Sequence, residues 1–160
     1  DVSANNIAVI NIENIINNNP YFQTIMDKLE LNKQKYFIIF EEQEKKLDKI
    51  YNEIETSKIL LNQDEINVMI DEYNYKLSKF QELVDNFNLF HQNQITELKK
   101  VIVEETIVLV EKYANDNNID IVLESNNYLL ASNAINITNI IDTKLKKIEL
   151  KLDYKDFEEN

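Results

Sequence analysis

Residues 21–61 read YFQTIMDKLELNKQKYFIIFEEQEKKLDKIYNEIETSKILL, and the spacing of their apolar residues decides the fold. Phe22, Met26, Leu29, Lys33, Tyr36, Phe40, Gln43, Leu47, Ile50, Ile54, Ser57 and Leu61 follow one another in alternating steps of four and three, and only Lys33, Gln43 and Ser57 interrupt the apolar run. After a polar break at Asn62 and Gln63 the rhythm resumes through Ile66, Ile70, Tyr73, Leu77, Phe80, Val84, Phe87, His91, Gln94, Leu98, Val101, Glu105 and Val108. A repeat of this kind draws a narrow seam along a helix. Two such helices joined by a short turn bury their seams against each other as an antiparallel hairpin. At about 1.5 Å per residue, arms of roughly forty residues reach about 60 Å. A reversal between Leu61 and Ile66, with Asn62 or Asp64 as cap, sets Phe40 against Phe87, Leu47 against Phe80, Ile54 against Tyr73 and Tyr36 against His91.

Working outward, Pro20 is tolerated only at the first turn of a helix, so the first arm begins there, after a short helical turn at Glu13–Asn17. Ile7–Ile12 is short, β-branched and almost wholly apolar, as a buried strand is. The second arm closes at Asn115–Asn118, where asparagine tolerates the left-handed backbone that ends a helix. Beyond it, Ile119–Leu123 and Tyr128–Ala131 flank a Ser125-Asn126-Asn127 turn and read as a β-hairpin. Ile137, Ile140, Ile141, Lys144, Leu145, Ile148 and Leu152 have helical spacing, with Asn136 or Thr138 as cap. Asp156–Asn160 reads as a frayed end. The expected fold is therefore α+β. A small β-body at 6–20 and 113–153, made of a strand, a β-hairpin and a C-terminal helix, has a long antiparallel helical-hairpin (coiled-coil) arm inserted at 21–112, with its tip near 61–65.

Composition narrows the function. A hydrophobic content of 44% supports a core, yet the arms spend theirs on a narrow seam, which favours an oligomer. The net charge of −12 leaves no basic stripe for nucleic acid or for an anionic membrane surface. No apolar run approaches the ~20 residues of a membrane span. Asp1-Val2-Ser3-Ala4 carries none of the basic-then-apolar pattern of a secretory signal. With no cysteine there is no disulfide or thiolate metal site.

The residues of chemistry are present without their partners. His91 falls on the seam among Phe87, Phe90, Gln94 and Ile95, none a strong metal ligand, and reads as a packed polar residue that sets register. Glu41, Glu42, Glu44, Asp64, Glu65, Asp71, Glu72, Glu104 and Glu105 are mixed with lysines on thin helices and read as solvated surface, with Glu105 on the seam. Glycine is absent, so no phosphate loop exists. No enzyme and no cofactor is expected.

Apolar residues off the seam are the positive signal. Phe37, Ile38 and Ile39 beside Tyr36 and Phe40 make one turn apolar nearly all round, and Tyr51, Met69, Tyr75, Leu83, Leu89 and Phe90 also fall off the seam. Exposed together they would promote association, so they serve either neighbouring subunits or an apolar partner.

The strand Ile7-Ala8-Val9-Ile10-Asn11-Ile12, a long coiled hairpin, then Asn118-Ile119-Asp120-Ile121-Val122-Leu123 and a helix opening at Asn136-Ile137-Thr138 resemble the Skp (OmpH-like) periplasmic chaperones. The resemblance runs from about Asn6 to Leu150, and its specific part is the two ends. It implies a homotrimer with a β-barrel body built from three subunits and three hairpins hanging from it. Its partners would be unfolded outer-membrane β-barrel proteins, held between the arms without ATP. It also implies a periplasmic location with a signal peptide removed. On that reading Phe37, Ile38, Ile39, Tyr51, Met69, Tyr75 and Phe90 contact the client, and Ile7, Val9, Ile10, Ile121, Leu123, Tyr128 and Leu130 serve assembly. Family members are often basic, whereas Lys45, Lys46, Lys49 and Lys58 are outnumbered by acids in the distal arm here, which disfavours lipopolysaccharide. The alternative is a coiled-coil adaptor or spacer that docks one folded partner. A prefoldin-like plan is disfavoured because a strand follows the arms.

Overall fold

Asparagine side chains start the first three helices of this protein. In the computed structural model, which describes residues 5–159, α1 spans Ile12–Asn18, and Oδ1 of its N-cap Asn11 accepts the Asn14 N–H at 2.9 Å. Asp1–Ala4, the tetrad read above for a signal, and Asn160 lie outside the described residues. Asn19 both closes α1, through its N–H to the Ile16 carbonyl, and opens α2, Pro20–Ser57, by accepting the Phe22 N–H at 3.1 Å. Pro20 stands at the first helical position, as its missing N–H requires.

The second long helix, α3, spans Gln63–Asp116 and is opened by a reciprocal cap. Asn62 Oδ1 accepts the Glu65 N–H at 2.9 Å, and Glu65 Oε2 accepts the Asn62 N–H at 3.1 Å. The reversal therefore occupies residues 58–62, just ahead of the polar stretch expected to turn. At the far end Asn118 takes φ 53°, and the Ile119 N–H reaches back to the Ala114 carbonyl at 2.9 Å. Asparagine thus stands in the left-handed position that glycine usually fills.

The chain divides into two compact units. The first runs through Asp27 and resumes over Gln94–Tyr154. Its strands, β1 at Ile7–Ile10 and β2 at Ile121–Glu124, pair in parallel with Ile7 opposite Ile121 and Ile10 opposite Glu124. The start of the pairing is pinned by Asn6, whose N–H donates to Asp120 Oδ2 at 2.8 Å and whose side chain donates to the Asn118 carbonyl. The far side of β1 bridges to Asn136, with the Ile137 N–H on the Val9 carbonyl at 2.9 Å. Ala8, Val9 and Ile10 are buried, as continuous apolar strands of parallel sheets are. Helix α4, Thr138–Leu145, packs on α1 and buries Ile141 and Leu145. The Thr138 hydroxyl accepts the Asn11 N–H at 2.9 Å and donates to Asn136 Oδ1 at 2.6 Å, joining the end of β1 to the start of α4.

Three expectations for this unit are corrected. The β-hairpin does not form: Ser125–Asn127 makes a 3-10 turn, and Tyr128–Ala131, which bends at Leu129, forms no strand among the described residues. The first strand stops at Ile10 because Asn11 caps a helix, which takes Ile12. Helix α4 takes Ile137 as its N-cap position, with Asn136 Oδ1 one residue earlier accepting the Thr138 N–H at 3.0 Å, and it ends at Leu145, short of Leu152.

The second unit holds Lys28–Asn93 with the tail from Lys155. Its seam follows the sequence rhythm: Tyr36, Phe40, Leu47, Ile54, Ile66, Phe87 and His91 are buried. Asn32, rather than the expected Lys33, is the buried polar residue of its turn. In the first unit the seam of α3 drifts to Leu98, Ile102 and Thr106, leaving Val108 exposed. There the helix packs as an ordinary core element with 3.6-residue periodicity instead of a seven-residue seam.

Candidate interaction surface

The arm's aromatic residues converge on Phe87. Its ring lies 5.0 Å from that of Tyr36, 5.2 Å edge-on from Phe40 and 4.2 Å from His91. The expected pairing of Phe40 with Phe87 is thus present, while the Tyr36 ring meets Phe87 and the ring of Tyr73 meets Tyr51 at 6.0 Å. Ring pairs at 4.5–7 Å with tilted or edge-on planes suit the aromatic quadrupole.

A residue that sequence reasoning missed completes this cluster. Phe157, in the stretch read as frayed, is buried, with its ring 5.1 Å from Tyr36, 5.4 Å from Phe87 and 5.5 Å from Phe90. Its N–H donates to Oδ1 of the buried Asn32 at 3.2 Å. A lone phenylalanine inside Asp-Phe-Glu-Glu has no periodicity to announce burial. The one available hint was Leu83 and Phe90, apolar residues off the seam that needed a cover; both pack partly buried against the cluster.

His91 lies beside the cluster with Nδ1 3.1 Å from the Phe87 carbonyl. A carbonyl only accepts, so Nδ1 carries the proton and Nε2 is bare; Nε2 is buried without a hydrogen-bond partner. Burial pushes the imidazole below its ordinary value of 6.5, opposed by the bond to the Phe87 carbonyl; Lys33 lowers it further and Asp156 raises it. Because the unfolded chain binds this proton more readily, the stability tied to neutral His91 is complete above pH 6.5 and is lost as pH falls from there toward the lowered value. Urea midpoints on either side of pH 6.5 should therefore fall more on acidification for the parent than for a His91→Leu protein. Parallel losses would show that His91 does not titrate in this window.

The other candidate residues separate by exposure. Phe37, Ile38, Tyr51 and Tyr75 are 56%, 61%, 50% and 65% exposed, and Met69 is half-buried. Ile39 packs against the aromatic cluster, and Phe90 faces Phe157. The reversal adds Ile59 and Leu60, both almost fully exposed, a patch signalled by the Ile59-Leu60-Leu61 run. In the first unit Val9 and Ile10 are buried within the chain's own core, Leu123 and Tyr128 are half-buried, and Ile7, Ile121 and Leu130 are exposed. Neighbouring Leu129 is wholly exposed.

Among the described residues no group of three or more histidines, cysteines or carboxylates is placed to hold a metal ion. No helix among them is long and apolar enough to cross a membrane. The lysines and carboxylates of the arm form exposed pairs along one helix, such as Lys45 with Glu41 at 3.2 Å and Lys79 with Glu82 at 3.2 Å. Such pairs mark solvated helix surface.

The family model for outer membrane protein (OmpH-like) matches residues 6–145. Among curated proteins, none matches the chain by sequence. Among solved structures, the chain is similar to a candidate outer membrane chaperone (OmpH-like) from Caulobacter crescentus CB15. That likeness has a TM-score of 0.68 and 13% identity, and covers 100% of this chain and 94% of the other. At that identity the likeness speaks for the fold, while the family match spans both the strand-bearing unit and the hairpin. The chain belongs to the OmpH-like outer membrane protein family.

Proposed function

We propose that this protein is a homotrimeric, ATP-independent holdase of the periplasm that keeps unfolded outer-membrane β-barrel proteins from aggregating in the cavity between three helical hairpins. Residues 6–20 and 113–153 form the trimerisation body in this reading, and residues 21–112 form the arm. The carrying observation is the large apolar side chains left in water on an acidic hairpin: Phe37, Ile38, Tyr51 and Tyr75, with Ile59 and Leu60 at the reversal. Scattered patches of this kind bind an extended apolar chain weakly at many points, and multivalency supplies the affinity. The charged surface between them keeps the loaded complex dissolved. Assembly falls to the exposed residues Ile7, Ile121 and Leu130, flanked by Leu123 and Tyr128.

The test pairs Phe37→Asp with Ile38→Asp, both on positions that are more than half exposed. The variant should keep its helical content and native mass while needing about tenfold more protein to suppress aggregation of a urea-diluted outer-membrane β-barrel protein. Equal suppression would remove this patch from the client surface. Native mass of the parent, alone and with client, should read three chains and then three chains plus one client. A trimer indifferent to unfolded chains would favour an adaptor that docks a folded partner.

A further inference from the structure

Ile59 and Leu60, at the reversal between α2 and α3, are 88% and 85% exposed. Turn positions ordinarily go to glycine, asparagine, aspartate or serine, and two aliphatic side chains there break that rule. The fold has no use for them. On either side of the reversal Ile54 and Ile66 are buried and complete the seam. The turn itself is held by backbone bonds that almost any residue makes: the Leu60 and Leu61 N–H groups both donate to the Ser57 carbonyl, at 3.0 and 2.9 Å. Reciprocal capping between Asn62 and Glu65 then fixes the start of α3. Val68, in the second turn of α3, is exposed as well. The bare aliphatic pair is therefore presented on a hydrogen-bonded tip, which lowers the cost of ordering it around a partner.

The charge near the tip is one-sided. Between residues 50 and 75 six carboxylates stand against a single lysine, Lys58, and that lysine is paired with Glu55. Asp64 and Glu65 have a local reason to be there, since carboxylates stabilise the N-terminal turn of α3. The others do not. Glu53 and Glu55 lie near the C-terminal end of α2, where the helix dipole favours cations and the last turn holds none. Glu53, Asp71 and Glu72 are exposed, and among the described residues none of them is ion-paired. At about 1.5 Å per residue all of them lie within about 15 Å of the reversal, so at low salt their fields add there. An apolar pair in such a field repels three occupants: the tip of a second copy, an anionic membrane surface and an acidic stretch of polypeptide. It attracts apolar residues flanked by lysine or arginine.

We propose that the tip is a docking site for cationic amphipathic segments of unfolded clients, in which lysines or arginines flank two or three apolar residues. Ile59 and Leu60 contact the apolar residues, and Glu53, Asp71 and Glu72 select by charge. The assignment rests on the holdase reading for the source of the segment, and deepens it by naming the chemistry taken at the tip. Two aliphatic contacts are too few to hold a chain alone, so the tip acts together with the patches along the arm. Opposite charge also speeds the encounter between the tip and such a segment.

The probe is a short labelled peptide with lysines on both sides of a Leu-Leu-Ile core, compared with a twin carrying glutamates for the lysines and a twin with a serine core. The full chain at low salt should bind the lysine peptide about tenfold more tightly than either twin. Added salt should erase the advantage over the glutamate twin and leave the advantage over the serine twin. Ile59→Ser with Leu60→Ser should weaken lysine-peptide binding about tenfold at unchanged helical content. Leu31→Ser, which alters a bare leucine on α2 far from the reversal, should not weaken it. Glu53→Gln, Asp71→Asn and Glu72→Gln together should remove the preference for lysine over glutamate and keep the preference over serine. Equal binding of the three peptides, unchanged binding by the Ile59 and Leu60 variant, or equal weakening by Leu31→Ser overturns the docking site. Client protection is read separately, by light scattering on a urea-diluted β-barrel protein. A parent that protects without preferring the lysine peptide keeps the holdase reading and loses the tip. One that binds the peptide without protecting overturns the holdase reading, and with it the client as the source of the segment. A tip variant with a lower native mass than the parent assigns the tip to a second copy. Binding to phosphatidylcholine vesicles that the tip variant loses assigns it to a lipid surface. Either result overturns the assignment.

Discussion

If the proposed trimer forms, the parent is expected to sediment as three chains and a protein carrying Leu129→Asp and Leu130→Asp as a monomer. The reason lies in the strand-bearing unit. A sheet of β1 and β2 alone is smaller than isolated sheets that persist in water, and parallel strands are ordinarily covered on both faces. β1 has β2 on one side and the Asn136 bridge on the other, so the open edge belongs to β2. After β2 and the 3-10 turn the chain passes through Tyr128, with φ −143° and ψ 152°, and presents Leu129 and Leu130 at 102% and 90% exposure. A two-stranded sheet with an open edge, in a unit that also leaves two leucines bare, is the surface of an unfinished body. If three copies complete it, six leucines leave water, worth on the order of 10 kcal/mol for the assembly, and six aspartates would forfeit this. The hairpin should stay helical in the variant, since neither leucine belongs to the arm. A trimer that survives both changes places the interface elsewhere. A parent that sediments as a monomer removes the trimer.

The same region shows what the sequence could and could not disclose. The hairpin was legible because its seam is a local periodic pattern: Tyr36, Phe40, Leu47 and Ile54 are buried where the rhythm puts them. Caps were legible too, as Asn62 and Asn118 show, because the chemistry that ends a helix sits within a few residues of the end. Strand pairing is a distant relation. Ser-Asn-Asn between apolar runs resembles a hairpin turn, and the parallel pairing of β2 with β1, Ile7 opposite Ile121 across the whole arm, has no local signature. Exposure of Phe37 and Tyr75 followed from their places off the seam. The cover over Phe90 did not, because Phe157 comes from a stretch whose composition says solvent.

Replacing Phe87 by alanine is expected to have the largest effect on stability, a loss of about 3–5 kcal/mol in urea unfolding at fixed protein concentration. Phe87 is 1% exposed, and its neighbours Tyr36, Phe40, His91 and Phe157 all turn rings toward it. Those rings cannot collapse into the space without leaving their places on two helices and the tail, so most of the cavity persists. The arm has little with which to compensate, because toward the reversal its buried apolar residues thin to Leu47, Ile54 and Ile66. A loss below about 1 kcal/mol, the level of an ordinary substitution, would show that the cluster does not hold the arm together. The partner experiment is Phe157→Ala, alone and combined with Phe87→Ala. Both changes remove the same ring contact, so the double variant should lose less than the two single losses added together. Additive losses would mean that the two rings do not meet in solution, and the tail would then be free of the arm. Coupled losses with a small cost for Phe157→Ala alone describe a tail that leans on the arm's strongest point without being needed to hold it up.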